Sequence, residues 1–229
     1  MKTSHILLAI ITIVTLTGMV ATDVLLKHQY EKIDWRNPYQ NFEQRLLPIA
    51  KHWVIEGTPV HEIVVLKSHD KPQALIEPDA ATFYRTRQQG DTVFVTFTPD
   101  YNGEQTGPRL DADRERWVRL VLRLSDLQTL RVKNARLTLL ELATDSLNIV
   151  LQKSRLRTND LHISDLFTLT ANQNSFAVLS PADQYKSLQL IVQDSSGVQL
   201  NNVQTDAFLT QVSPKAEVQL RGQALKWLK

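Results

Sequence analysis

Short segments in which apolar and polar residues alternate recur about every ten residues from Leu127 to Lys229. They fall at residues 137–139, 147–151, 156 with 161–163, 167–169, 176–178, 188–192, 198–200, 207–209 and 218–220, with polar corners between them. Alternation sends successive side chains to opposite faces of an extended strand, so each segment has one buried and one wet side. Every second segment gives a beat of about twenty residues, the period of stacked solenoid coils. A single two-strand coil cannot bury its apolar face alone. Coils laid over one another pair their backbones and share a core. The pattern predicts an all-β domain built as a β-solenoid (parallel β-helix-like), with residues 147, 167, 188 and 208 in one column. An antiparallel β-sandwich is the alternative, because strand spacings of roughly 8–12 residues suit it too. Asn-Gly and Asp-Gly pairs, the best two-residue hairpin turns, are missing from residues 127–229, which favours the solenoid.

Ahead of this array, strand-like runs begin at Trp53 and continue at residues 60–66, 74–76 and 117–124. Residues 83–86 and 92–97 flank Gln88, Gly90 and Asp91 and read as a hairpin. Residues 42–47 read as a short helix stopped by Pro48, and residues 99–108 as a polar loop. Glycine is scarce, so the tight corners fall to Asn134, Asn159, Asn172, Asn174, Asn201, Asn202, Asp145, Asp160 and Asp194. Asn and Asp tolerate a positive φ better than other side chains do.

Residues 6–22 form an uninterrupted uncharged run, which Val24, Leu25 and Leu26 extend past Asp23. About 20 residues cross a hydrocarbon layer of roughly 30 Å. A cleaved signal peptide needs small residues one and three positions before the cut, and Met19 fits the distal position poorly. The reading is therefore a retained single-span anchor. Lys27, Lys32 and Arg36 follow the span and Lys2 precedes it, so charge counting alone would put the C-terminal side in the cytoplasm. Trp35 and Tyr39 suit either the headgroup level or packing on the domain. The expected organisation is a tail at 1–5, an anchor at 6–26, a connector at 27–52 and a β-rich domain at 53–229.

Composition narrows the chemistry. The 26 basic and 24 acidic residues leave a net charge of +2, without the basic face of a nucleic-acid binder. Arg114, Arg116, Arg119 and Arg123 cluster, but acidic residues are interleaved, and the reading is a solvated strand face. The chain has no cysteine, which excludes disulfides, thiolate catalysis and Cys-bound zinc. His61-Glu62 starts like a zinc-protease helix, but Val65 stands where the second histidine belongs and the segment alternates as a strand. Asp111, Asp113 and Glu115 lack the glycine and terminal glutamate of a calcium loop. No phosphate loop or serine elbow occurs. No catalytic, cofactor-binding or metal residue is nominated, and no cofactor is expected. His162, between Leu161 and Ile163, should point outward. It would share an ordinary polar face with Gln152, Arg157, Thr168, Gln189, Gln199, Gln219 and Arg221.

The span, the opening strand Trp-Val-Ile-Glu-Gly at 53–57, the hairpin and the ladder from Leu127 together resemble the GIN-domain family. That family comprises auto-transporter adhesin head domains of bacterial envelope proteins, and the resemblance covers about residues 50–220. Family members usually carry glycine and serine at the corners. Here Asn134-Ala-Arg, Ser154-Arg and Ser195-Ser-Gly197 stand in those places. The resemblance implies a β-solenoid facing the periplasm or the cell exterior and carries over no catalytic residue. The expected function is a single-pass, non-enzymatic envelope protein whose β-surface serves adhesion, envelope-polymer binding or scaffolding. Its partners would be the membrane, through the helix, and a glycan or envelope protein. The alternative is a polysaccharide-active enzyme on a β-helix scaffold, which requires acidic or basic groups converging in one groove.

Overall fold

A computed structural model describes residues 2–32, 34, 37–68, 70–99 and 118–228. Trp35, His69, the Asn102-Gly103 and Gly107-Pro108 turns, Asp111, Asp113, Glu115, Arg114 and Arg116 lie outside the described residues. The chain divides into two compact units, Met1–Asn41 and Phe42–Lys229.

The first unit contains helix α1, Lys2–Glu31, of 30 residues. At 1.5 Å per residue it extends about 45 Å, longer than a hydrocarbon core. It is long and apolar enough over His5–Glu31 to cross a membrane, as both an anchor and a signal sequence would be. The apolar run is interrupted by threonines, and the helix hides their hydroxyls. Thr12, Thr15, Thr17 and Thr22 each donate to the carbonyl four residues back, at 2.8–2.9 Å. Such bonding leaves no hydroxyl proton unpaired in a solvent that cannot accept it.

The second unit is mostly β. Its first part holds β1 (Glu43–Leu46), β2 (His52–Gly57), β3 (Glu62–Lys67), β4 (Gln73–Ile76), β5 (Tyr84–Gln89), β6 (Thr92–Phe97) and β7 (Val118–Leu124). Then follow β8 (Thr129–Lys133), β9 (Arg136–Leu140), β10 (Ala143–Gln152), β11 (Arg155–Asn159) and β12 (His162–Asn172). The last are β13 (Phe176–Leu179), β14 (Gln184–Val192), β15 (Gly197–Asn201), β16 (Gln204–Val212) and β17 (Glu217–Arg221). Two large sheets result. One has nine strands in the order β1-β4-β7-β3-β9-β11-β13-β15-β17, the other eight in the order β16-β14-β12-β10-β8-β2-β6-β5. The sheets are mixed. Antiparallel pairing joins β1 to β4, β4 to β7 and β5 to β6, and the ladder from β8 onward pairs in parallel.

From β8 the chain alternates between sheets, so each strand lies beside the one before last. Leu147 pairs with Phe167, Phe167 with Leu188, and Leu188 with Phe208. Leu137, Leu156, Ala177, Val198 and Val218 make the equivalent column opposite. Side chains of both sheets meet in one continuous apolar core. Each fully buried aliphatic or aromatic side chain contributes roughly 1.5–3 kcal/mol to that core.

Corners between strands turn through residues at positive φ, one at most corners and two at Gln173-Asn174. Asn134, Asp160, Asn174, Asp194 and Asn202 take this role, as expected of Asn and Asp, but so do Glu141, Lys153 and Gln173. Asn159, Asn172, Asn201 and Asp145 instead remain within strands. The last corner uses Gly222 at φ +62, where an added Cβ would strike the Asn202 side chain. Just inside one row of corners runs a ladder of buried serines. Ser154 Oγ accepts the Ala135 N–H at 3.2 Å, Ser175 Oγ accepts the Ser154 N–H at 3.1 Å, and Ser196 Oγ accepts the Ser175 N–H at 3.0 Å. Ser154 and Ser175 also donate, to the carbonyls of Gln152 and Asn172. Each hydroxyl thereby satisfies backbone groups that a buried corner would otherwise strand.

Three expectations need correction. Residues 43–46 form strand β1, not a helix, because pairing with β4 outweighs local propensity. Residues 162–163 and 167–169 belong to one strand, β12, with an irregular register between Ile163 and Leu166. The polar Ser164-Asp165 pair at that bulge breaks the alternation without ending the strand. Arg119 does not lie on a solvated face. It is buried and ion-paired with buried Glu77, whose N–H donates to the Arg119 carbonyl at 3.0 Å. The hairpin stands as read: β5 and β6 pair across Gly90, at φ +59, and Asp91.

Candidate functional site

The starts of β10, β12, β14 and β16 lie side by side in register. Ala143 pairs with His162, His162 with Gln184, and Gln184 with Gln204. One residue on, Thr144, Ile163, Tyr185 and Thr205 pair in the same way. Ile163, Tyr185 and Thr205 turn inward and are buried, while their neighbours face water. The extra residue in β12 bends the sheet here, and a cleft of about 670 Å³ opens across all four strand starts. Lys67, at the end of β3, closes one side and donates to the Ala143 carbonyl at 2.8 Å. A second hollow of about 420 Å³ adjoins it and shares Thr144 and Asp145.

The walls are polar and carry both charges, with Asp145 and Asp206 against Lys67 and Lys186. Asp145 Oδ1 accepts the Ser164 hydroxyl at 2.8 Å, and Ser146 donates to Asp165 at 3.2 Å across the same bulge. His162 stands exposed, as the alternation required, with Nδ1 at 3.7 Å from Asp160. It therefore lines the cleft instead of lying on a featureless face.

The floor is held by a buried carboxyl. Asp183 accepts the Leu161 N–H at 3.0 Å, the Ser180 N–H at 2.8 Å and the Tyr185 hydroxyl at 3.0 Å, and also bonds the Thr158 hydroxyl. Burial pushes the Asp183 carboxyl above its ordinary value, and these four hydrogen bonds oppose the rise. Burial, with the Asp183 charge beside it, also pushes the Tyr185 phenol well up. The Tyr185 ring stacks on Phe167 with centroids 4.9 Å apart and planes 8° from parallel. Cleft and core are thus joined through one aromatic pair.

The other outward residues do not converge on this cleft. Gln152, Arg157, Thr168, Gln189, Gln199 and Gln219 are partly exposed and Arg221 is exposed, and none lines it. His61 and Glu62 are buried, Glu62 at the start of strand β3, and Glu62 accepts the Thr138 hydroxyl at 2.5 Å. Among the described residues, no group of three or more His, Cys, Asp or Glu is placed to hold a metal ion. Sequence reading missed Asp183, Tyr185, Lys186 and Asp206. Its usable signal was the recurrence, at one-coil spacing, of a polar residue on each side of an inward one.

These features define a two-sheet, mostly β domain preceded by an apolar helix, with a polar cleft along its parallel ladder. No protein-family model matches the chain, and no curated protein matches it. Solved structures resemble it distantly. One is a proposed lipid binding protein of Parabacteroides distasonis, at TM-score 0.39 and 9% identity over 80% of this chain and 98% of that one. Another is a proposed adhesin of Bacteroides fragilis, at 0.37 and 11% over 80% and 98%. A proposed cell adhesion protein of Clostridium sporogenes follows, at 0.33 and 7% over 78% and 97%. At these scores the likenesses assign neither family nor function.

Proposed function

We propose that this chain is a membrane-tethered, non-enzymatic envelope protein of the GIN-domain type, whose β-solenoid offers its cleft to an extracytoplasmic glycan or envelope-polymer partner. In this reading residues 6–26 anchor, 27–52 connect, their later part pairing into the domain as β1, and 53–229 present the binding surface on the periplasmic or extracellular side. The in-register columns of the parallel ladder support the solenoid. The observation that carries the functional reading is the repetition of polar side chains along the cleft, one set per strand. Neighbouring strands lie about 4.8 Å apart, so a polymer crossing the four starts meets a polar contact at each step over about 14 Å. The balanced charge of the walls suits a hydroxyl-rich chain better than a polyphosphate or nucleic acid.

The cleft also brings two carboxylates, Asp145 and Asp206, to the single groove that a polysaccharide-active enzyme needs. Three strand spacings put their backbones about 14 Å apart. Glycosidic cleavage uses carboxyl pairs about 5–9.5 Å apart. Asp145 is also engaged by the Ser164 hydroxyl, and the polar contacts repeated from strand to strand favour binding without cleavage. The test incubates the full chain, in detergent, with peptidoglycan, capsular polysaccharide and lipopolysaccharide. Retention that falls in the Lys186→Ala/Asp206→Ala variant is expected. No retention at high protein concentration, or release of new reducing ends, would overturn the reading.

A further inference from the structure

Among the described residues, β17 ends the nine-stranded sheet and has a strand on one side only. It meets β15 through the backbone of alternate residues. The Glu217 N–H donates to the Ser196 carbonyl at 3.0 Å, and the Arg221 carbonyl accepts the Asn202 N–H at 3.1 Å. Backbone groups alternate sides along a strand, so the N–H and C=O of Val218 and Leu220 face the open edge. Their side chains also end the inward column. Val198 and Leu200, their partners on β15, are buried, whereas Val218 and Leu220 are only half-buried. On the other sheet Val212 is 44% exposed beside buried Val192. The segment Gly222–Leu228 covers part of this end, with Trp227 against Phe208 at a centroid distance of 6.1 Å. It leaves Val212, Val218 and Leu220 partly in water.

Charges on an edge strand ordinarily oppose pairing with another chain. On β17 their order favours one partner. The outward row is Glu217, Gln219 and Arg221, held together as Gln219 Nε2 donates to Glu217 at 2.8 Å and Arg221 donates to Gln219 Oε1 at 3.5 Å. Acid, amide and base in that order become their own complement when the strand is turned end for end. Two β17 strands paired antiparallel about Gln219 set each Glu217 opposite the other copy's Arg221, and each Val218 opposite Leu220. In the same register the open backbone groups of Val218 and Leu220 meet and exchange hydrogen bonds. A parallel pair in register would instead oppose like charges.

We propose that the β17 edge is where a second copy of this chain docks, antiparallel about a two-fold axis at Gln219. Sedimentation equilibrium of the full chain in density-matched detergent tests it. The native chain should dimerise. Glu217→Arg or Arg221→Glu alone sets like charges opposite at both ends of the pair, and each should raise the dissociation constant at least about tenfold. Glu217→Arg/Arg221→Glu restores the opposition of charges and should return the constant to within about threefold of the native one. The chain has no cysteine, so Gln219→Cys should give a disulfide-linked dimer under mild oxidation. Gln199→Cys, at the paired position on β15, should not. A chain that stays monomeric overturns the proposal, and so does a double variant as weak as the single ones. A dimer indifferent to both single changes places the contact elsewhere, α1 included, and overturns it too.

Discussion

The ladder from β8 to β17 and the region from β1 to β7 share one core but are built differently. From β10 onward each strand pairs in parallel with the one two before it, about twenty residues back, and the same inward positions repeat. In the first region β4 crosses to lie between β1 and β7, and the core holds a charged pair, Glu77 with Arg119. A repeated structure can satisfy many of its buried polar groups with a repeated device, here the serine row, to which the ladder adds Asp183 at a single place. An irregular one needs pairs specific to a single place. Damage to the first region should therefore concentrate in that pair, and damage to the ladder should be spread over equivalent positions.

The largest effect expected is from Glu77→Ala, which strands a buried guanidinium and should cost about 3–5 kcal/mol. Phe167→Ala should cost a similar 3–5 kcal/mol by opening a cavity at the stack on Tyr185. Denaturant unfolding of the detergent-solubilised chain, followed by tryptophan fluorescence, measures both. The comparison sharpens if Glu77→Leu/Arg119→Leu recovers most of the loss, because an apolar pair removes the charge problem whereas no second substitution refills the Phe167 site.

Asp183 should rank next. In Asp183→Asn the amide oxygen keeps the three donors that meet Oδ2, so the nitrogen faces the Leu161 N–H, a donor that cannot turn away, and about 1–3 kcal/mol should be lost. The native carboxyl is raised, so the folded state holds its proton more tightly than the unfolded chain does. Its contribution is full below the ordinary carboxylate value and declines as pH rises through the raised one. The Asn variant, which does not titrate there, should be most destabilised relative to the native chain at acid pH and less so near neutrality. Unfolding curves across that range test the sign, and a penalty that grows toward neutral pH would refute it.

Ser175→Ala should cost about 1–2 kcal/mol, because it leaves the buried Ser154 N–H without its acceptor. If the rungs are equivalent, Ser196→Ala should match it within roughly 0.5 kcal/mol. The smallest effect is expected at the corners. Lys153 holds φ at 50, and Lys153→Gly relieves a strain of about 1 kcal/mol while loosening the unfolded chain, so a change of less than about 1 kcal/mol in either direction follows. A loss comparable to the Ser175 variant would mean the Lys153 side chain does more than turn the corner.

Much of the ladder was legible because its inward positions alternate, and the beat of about twenty residues suggested the column of Leu147, Phe167, Leu188 and Phe208 that the strand pairing shows. The β5–β6 hairpin was legible from Gly90-Asp91. Strand β1 was not, since nothing local in Glu43–Leu46 announces β4 as its partner. Arg119 misled because a run of charges looks the same whether or not Glu77 waits in the core. The serine row hid in plain spacing: its members recur 21 residues apart, but isolated serines look like ordinary corner residues. The cleft was least visible. It is assembled from the starts of four strands, and its shape comes from a single extra residue in β12 that leaves no mark on composition.

Parallel pairing of each strand with the one two before it underlies the core, the serine row and the cleft. It can be measured directly on the outward column Asn148, Thr168, Gln189 and Leu209, which pair in succession. Nitroxides at Asn148→Cys and Leu209→Cys should sit about three strand spacings apart, near 14 Å, and show strong dipolar broadening. Spectra without broadening, equal to the sum of the two singly labelled chains, would contradict the stacking.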